Sequence, residues 1–439
     1  GELTRDVGHL LKENGMEVIV TDHHEPSNEL PDALAIVNPK RLDSKYPEKI
    51  LCGAGVVWKI IEALRLASLA QDKPLGLAQV QEKWLLDLVA LATLSDMVPL
   101  VGENRILSSF GLLVLRKSRR LGLRKLFSIL KINQRNLSED DVAFLITPRI
   151  NAASRMGHPV DAFKLLVAED EAEAESFVKH LDNINNERKT AVATIVKEAK
   201  KKVREKFENE GEKSVIVLGN PDWRPALLGL VANSIVEEFS RPVFLWGRAK
   251  DESEDEENIL KGSCRSEGQT DLVAVMEKTR EIFVEFGGHK MSGGFSVSFE
   301  KIHLLEESLV TASNLLCEEN KKGNEKIFAD AELHLKNANE KTVSEISKLS
   351  PFGVGNEKPI FIFRDVIPEK INRFGKAKEH LSINFRDGES TARAISFFTS
   401  PDQFGDALKE GIKTNLVANL EKSFYNGSSE IRLRIVDIF

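Results

Sequence analysis

One carboxylate and two imidazoles stand in a row at Asp22-His23-His24, directly after the β-branched run Val18-Ile19-Val20. Carboxylate oxygen beside imidazole nitrogen is a donor set for manganese, magnesium or zinc. In doubly wound sheets ligands bind at the carboxyl ends of strands, and an apolar strand ending at Asp22 places all three groups there. The plain alternative is a polar turn in which the Asp caps the chain and each His bonds to backbone. A second carboxylate, Asp96, closes the apolar stretch from Asp87 to Ser95 and precedes Met97-Val98-Pro99-Leu100. Taken alone, it reads as a turn-forming residue.

These groups need elements to hold them. Glu2 to Asn14 carries Leu3, Val7, Leu10 and Leu11 on one side of a helix that leads into the Val18–Val20 strand. A helix feeding a buried strand is the second half of a βαβ unit, so the sequence reads as if it starts inside a doubly wound α/β domain. Residues 51–66 and 81–93 read as helical or mixed apolar segments. From Glu171 to Phe207, the residues Phe177, Leu181, Ile184, Ala191, Ile195, Ala199 and Val203 keep a helical spacing with no Pro or Gly between them. At the rise of an α-helix this stretch spans about 55 Å and suits a connector between domains. Its basic part, Lys200, Lys201, Lys202 and Arg204, reads as a solvated surface favoured by the helix dipole. Val215-Ile216-Val217-Leu218 and Pro242-Val243-Phe244-Leu245 predict strands of a second α/β unit, with loop and helix between Trp223 and Glu238. The acidic run Asp251 to Asn258 reads as a solvated loop. Short alternating runs after Lys326 predict a small β barrel: Phe361–Phe363, Ile383–Phe385, Ala394–Phe397, Asn415–Val417 and Ile431–Ile435.

The chain of 439 residues is 41% hydrophobic and 29% charged, an ordinary globular make-up, and its length predicts roughly two to four domains. A net charge of -7 gives no electrostatic pointer to nucleic acid, although a local basic groove can sit on an acidic protein. No apolar run reaches the ~18 residues of a membrane span, and no secretory signal stands at the start. Cys52, Cys264 and Cys317 lie far apart without zinc-ligand spacing, which fits a reducing cytoplasm.

Asp22-His23-His24, with Leu30-Pro31, Ala35-Ile36-Val37-Asn38-Pro39 and Cys52-Gly53-Ala54-Gly55, resembles the DHH phosphoesterase superfamily. Leu86 to Leu91, Ser95-Asp96, Val98 to Leu100, Gly102 to Arg105 and Pro148 to Gly157 resemble its RecJ branch. Gly262-Ser263-Cys264-Arg265-Ser266 and Phe286-Gly287-Gly288-His289 resemble the DHH-associated domain, and Pro351 to Asn356 resembles the lead into an OB-like domain. Single motifs are weak; the ordered set is specific.

The resemblance implies an α/β protein: an incomplete doubly wound parallel-sheet DHH domain (1–165), a long connecting helix (166–207), a second α/β DHH-associated, substrate-binding domain (208–322) and a C-terminal β-rich OB-like barrel (323–439). It implies a cytoplasmic, single-stranded-DNA-specific 5′–3′ exonuclease of DNA repair and recombination. Its two-metal site would take Mn2+ or Mg2+, and its partners would be single-stranded DNA, a helicase and a single-strand-binding protein, with no membrane. In that pattern Asp22, His23 and Asp96 are metal ligands, and His24 completes the catalytic set. Arg149, Asn151 and Arg155 match a motif assigned to DNA or phosphate contact. Ser263, Arg265, Ser266, Gly288 and His289 would hold the phosphate, because Arg suits bidentate phosphate binding and paired glycines let backbone approach. Arg224 stands where the family has His, and would keep a phosphate contact without proton transfer. His158 reads as a surface residue. Phe352, Phe361, Phe363, Phe385 and Phe397 read as barrel core, and Lys422, Phe424, Tyr425 and Arg432 as barrel contacts to the strand.

Two family motifs that supply metal ligands, an Asp-x-Asp element and a later Asp, are absent ahead of Asp22. The expectation is therefore weak metal binding and little activity for this chain alone. Two alternatives stand beside the exonuclease reading: a DHH phosphodiesterase of short oligonucleotides or cyclic dinucleotides, and a non-catalytic single-strand-binding or scaffold protein.

Overall fold

A computed structural model describes residues 13–26, 30–71, 81–248, 258–267, 270–319, 327–375, 378–425 and 428–439. The predicted helix from Glu2 and the acidic run from Asp251 fall almost wholly outside the described residues. The chain divides into two compact units, one of Gly1–Arg119, Lys131–Leu145 and Glu325–Phe439, the other of Arg120–Leu130 and Ile146–Asn324. These units cut the chain differently from the linear boundaries 1–165, 166–207, 208–322 and 323–439.

In the first unit, strands β1 (Ile19–Thr21) and β2 (Ala35–Val37) pair in parallel, with Thr21 opposite Val37. The ladder runs on through the Asp22 amide, which donates to the Val37 carbonyl at 3.1 Å. Both strands therefore end at one level, where Asp22 and Asn38 emerge. The parallel pairing matches the sequence reading; the expected burial does not, since the two described strands leave Ile19 60% exposed. Helices Gly53–Ala70, Leu86–Ser95 and Gly102–Leu115 follow. Leu86–Ser95 is apolar on nearly every side and correspondingly buried, as a central helix must be. The next helix can approach it because Gly111 has no side chain: a Cβ there would stand 2.4 Å from Ala90 Cβ and from the Leu86 carbonyl.

The same unit contains a barrel. Strands β9 (Ile360–Phe374), β10 (His380–Asp387), β11 (Ser390–Ser396), β12 (Thr414–Tyr425) and β13 (Ser428–Ile438) run in the order β10-β11-β13-β12-β9, β9 pairs back onto β10, and the short β8 (Ala331–Glu332) lies parallel beside β9. Two-residue alternation fills it with Phe361, Phe363, Ile383, Phe385, Leu416, Ala418, Leu433 and Ile435. Phe352 and Phe397, expected in this core, are only half-buried. Phe397 lies one residue past β11 and Phe352 well ahead of β9, so the strand alternation turns neither inward. Phe352 belongs to the lead-in segment, which binds the helical part of the unit: the Leu100 amide donates to the Val354 carbonyl at 2.6 Å, and Arg105 donates to the Leu349 carbonyl at 2.9 Å. Those bonds join sequence-distant segments in one unit.

The second unit is built on a five-stranded sheet, β3 (Ile216–Gly219), β4 (Val243–Gly247), β5 (Ile259–Arg265), β7 (Ser292–Ser298) and β6 (Phe283–His289) in that order. β3 and β4 are parallel, linked by helix Pro225–Phe239, and the other pairings are antiparallel. Helices pack on both faces of β3 and β4, so these two parallel strands are apolar throughout, whereas β5, β6 and β7 carry polar residues. Val243 and Leu245 face the core containing Ile195, Ala199, Val203 and Leu227. Phe244 points the other way, toward Leu272, Val275 and Leu305.

The long helix runs from Glu171 to Glu210. It begins at Asp170, whose carboxylate accepts from the Glu173 amide at 2.8 Å, and it stops at Gly211, where φ is 78°. It is the long connecting helix that the sequence suggests, and it is packed in both halves. Ala174, Val178 and Leu181 are fully buried in its first half, and Ile195, Ala199 and Val203 sit in the sheet core in its second. Its basic stretch is solvated at Lys201 and Arg204, as read from the sequence, and carries surface ion pairs: Lys200 and Arg204 reach Glu238 at 2.5 and 2.6 Å, and Lys202 reaches Glu198 at 2.7 Å. No helix among the described residues is long and apolar enough to cross a membrane.

Candidate metal and phosphate sites

The first site forms where β1 ends. Asp22 Oδ1 accepts from the amides of His23 (2.7 Å) and His24 (3.2 Å) and lies 2.7 Å from His24 Nδ1. Burial of Asp22 works to raise its pKa, but the His24 ring bond, the two amides and the nearby imidazole together hold it below the usual carboxylate value. An ionised carboxylate only accepts, so the hydrogen of a neutral His24 sits on Nδ1 and its Nε2 lone pair is left outward. Asn38, at the end of β2, is buried and donates from Nδ2 to the His24 carbonyl at 2.9 Å. His23 Nδ1 stands 3.6 Å from Asp96 Oδ2. Burial pushes the His23 pKa down, partly opposed by Asp96 and assisted by His24. The first turn of Gly53–Ala70 lies beside this ring, since a Cβ on Gly53 would stand 3.4 Å from His23 Cδ2. Asp96 ends its helix, its amide bonding the Ala92 carbonyl at 2.9 Å. Met97 then takes a left-handed φ of 54°, a strained conformation for a non-glycine residue.

The sequence reading is thus partly realised. The structure brings His23 to Asp96 and Asp22 to His24, and the donor types suit a hard or borderline divalent cation. Yet among the described residues no group of three or more His, Cys, Asp or Glu is arranged to hold an ion. Asn38 and Gly53, residues that fix this turn, carried only pattern value in the sequence; the signal was their place at the next strand end and helix start.

The second unit gathers cations. Arg155, on helix Thr147–Met156, donates from Nη1 to the Ala226 carbonyl at 2.7 Å. Arg265, at the end of β5, lies across the same helix as Ala226: a Cβ on Gly229 would stand 2.6 Å from its Nη2. Burial lowers the pKa of both guanidiniums, and Arg155 adds to the effect on Arg265. Arg224 precedes that helix and is exposed, its Nη1 3.9 Å from Met156 Sδ. Asn151 shares the Arg155 face at i,i+4 spacing, whereas Arg149 pairs with Asp182 at 2.8 Å. Register places Arg265 opposite Ser292 and Ser292 opposite His289, so Arg265 and His289 belong to one cross-strand row. Ser263 belongs to the neighbouring row with Gly294 and Gly287. Gly288 has φ 148°, and a Cβ there would strike the Ser292 carbonyl at 2.3 Å, so only glycine fits. Ser266 donates to the Thr270 carbonyl at 3.0 Å. His158 is exposed, as expected.

On the barrel, Lys422 pairs with Glu340 at 2.8 Å and Arg432 with Glu421 at 2.6 Å; the side chains of Phe424 and Tyr425 lie outside the described residues. Phe397, expected in the barrel core, is instead half-buried. Its ring lies under the Arg434 guanidinium at 4.1 Å and edge-on to His380 at 5.0 Å.

The sequence matches the DHH family, N-terminal domain, over residues 1–93, the DHHA1 domain over 212–313 and the RecJ OB domain over 329–437. It is 32% identical over 430 residues to the single-stranded-DNA-specific exonuclease RecJ of Bacillus subtilis, covering 98% of this chain and 51% of that protein. It is 32% identical over 442 residues to the Haemophilus influenzae protein of the same name, covering 97% of this chain and 74% of that one. The structure resembles Thermus thermophilus RecJ in complex with Mn2+, with a TM-score of 0.77 at 28% identity over 100% of this chain and 60% of that one. That protein was also solved in complex with Mg2+, with a TM-score of 0.73 at 28% identity over 97% of this chain and 60% of that one. The chain spans about half the length of the Bacillus relative. Neither alternative function is supported by these relatives, and nothing in them supports an inactive chain.

Proposed function

The chain belongs to the RecJ family, and from that membership we propose that it is a metal-dependent exonuclease that hydrolyses single-stranded DNA from the 5′ end. The observation that carries the proposal is the pairing of His23 with Asp96 in a unit that also holds the family's barrel. Mn2+ or Mg2+, when bound, supplies a hydroxide nucleophile and offsets charge on the leaving oxygen. His23 and Asp96 would be direct ligands. Burial keeps the His23 imidazole neutral at ordinary pH, the form that ligates. Asp22 holds the His24 ring in one tautomer and would act with it as ligand or support.

In the second unit Arg155, Arg224 and Arg265, with Ser263, Ser266, Gly288 and His289, would take phosphate oxygens. Guanidiniums keep their charge across the pH range and offer planar pairs of donors. Asn151 and Arg149 would support them. The barrel would track the strand, with Lys422 and Arg432 at its backbone. The proposal extends to Asp22, His23, His24 and Asp96 as the catalytic set and to the linear domain boundaries set out above. A cytoplasmic place in DNA repair and recombination, beside a helicase and a single-strand-binding protein, follows from the same reading.

The test is digestion of end-labelled DNA in manganese. Release of mononucleotides from single strands, with duplex of the same sequence spared and chelation abolishing the reaction, is the expected result. Equal cleavage of duplex, or turnover of dinucleotides alone, would contradict it.

A further inference from the structure

We propose that Arg188 is a further phosphate-binding residue, oriented by Asn185; this rests on the reading of the second unit as the phosphate-handling part. Asp182, Asn185 and Arg188 follow at three-residue steps along one stripe of the long helix. Asp182 takes Arg149 at 2.8 Å. Asn185 is wholly buried, and its Oδ1 accepts from Arg188 Nε at 3.2 Å and Nη2 at 2.9 Å. That grip fixes the guanidinium plane and leaves Nη1 to donate elsewhere. Among the described residues the Asn185 Nδ2 is itself a buried donor without a hydrogen-bond partner, a costly condition that calls for an acceptor.

The charges point the same way. Among the described residues no carboxylate lies within ion-pair reach of Arg155, Arg188 or Arg265. Burial weighs against charge on Arg188, and the like charges of Arg155 and Arg149 add to it. Guanidiniums do not shed their protons at neutral pH, so the repulsion persists until an anion offsets it. Arg155 and Arg265 lie against Ala226 and Gly229, at the start of helix Pro225–Phe239, the positive end of its dipole. A phosphoryl group, either a terminal phosphate or an internucleotide diester, supplies the missing negative charge only while bound.

Thermal unfolding of the full chain, with and without inorganic phosphate, tests this. Wild type should gain melting temperature with phosphate. Arg188→Gln should melt higher than wild type in phosphate-free buffer, because a repelled charge is gone, and should gain less from phosphate. A purely structural Arg188 predicts the reverse, a lower melting point and the full wild-type gain, and that pair of results overturns the proposal. Arg188→Lys keeps the charge and loses the fork, so it carries the test if Arg188→Gln does not fold. It should bind 5′-phosphorylated single strands about tenfold more weakly, and unchanged affinity overturns the assignment. Weakening confined to 5′-phosphorylated strands assigns the terminal phosphate; equal weakening of 5′-hydroxyl strands assigns the diester. Wild type that ignores phosphate and single strands alike would sink the phosphate-handling reading as a whole. A responsive wild type matched by Arg188→Gln sinks Arg188 alone.

Discussion

At the end of β1, imidazoles meet carboxylates: Asp22 holds His24 at 2.7 Å, and His23 stands 3.6 Å from Asp96. Around helix Pro225–Phe239, like charges crowd together: Arg155 and Arg265 are both desolvated, Arg155 lowers the Arg265 pKa further, and neither is ion-paired among the described residues. The first arrangement is complete enough to persist in water and offers donors to a cation. The second is electrostatically unfinished, the feature on which the proposed anion site rests. The difference teaches that one unit is preorganised by its own hydrogen bonds, while the other is preorganised by packing against a residual repulsion.

The sharpest way to break that contrast is to remove the imidazole. His23→Ala should lower nucleotide release from single-stranded DNA on the order of a thousandfold, measured as initial rates at saturating manganese. A rate near wild type would mean the β1 turn is not the catalytic centre. Arg265→Ala comes next, with kcat/KM for single strands expected to fall about a hundredfold. Gly229→Ala sharpens the account without touching a charge. Its Cβ, 2.6 Å from Arg265 Nη2, must push the guanidinium aside, raising KM about tenfold while the melting temperature stays close to wild type. A lower melting temperature with unchanged KM would show that the close approach serves packing alone.

The smallest effect concerns the thiol behind Arg265. Burial pushes the Cys264 thiol up to about 12, and the Arg265 charge only partly opposes it. Its reactive thiolate is therefore scarce until pH nears that value. Native protein treated with iodoacetamide at pH 8 should leave Cys264 unmodified by peptide mass spectrometry; ready alkylation would mean that β5 opens.

What the sequence made legible follows from periodicity and adjacency. The barrel strands announced themselves by two-residue alternation, and the Glu171–Glu210 helix by its apolar stripe. Asp22, His23 and His24 were legible because they are neighbours in sequence, and the resemblance added Asp96, Arg155 and Arg265. Phe397 was misjudged because hydrophobicity says nothing of where a strand stops; one residue past β11, it turns to Arg434. The long helix was legible as a connector, but its stripe gives length and period and not partners, so its burial against the sheet core was not. Arg188 was invisible for a similar reason: a charged residue on a long helix looks solvated until its buried Asn185 neighbour is seen.

Calorimetric titration with manganese of wild type, His23→Ala and Arg265→Ala tests the division between the two units most directly. The account predicts that wild type binds the ion, that His23→Ala loses most of the heat, and that Arg265→Ala titrates like wild type. Undiminished binding by His23→Ala, or its loss in Arg265→Ala, would contradict it.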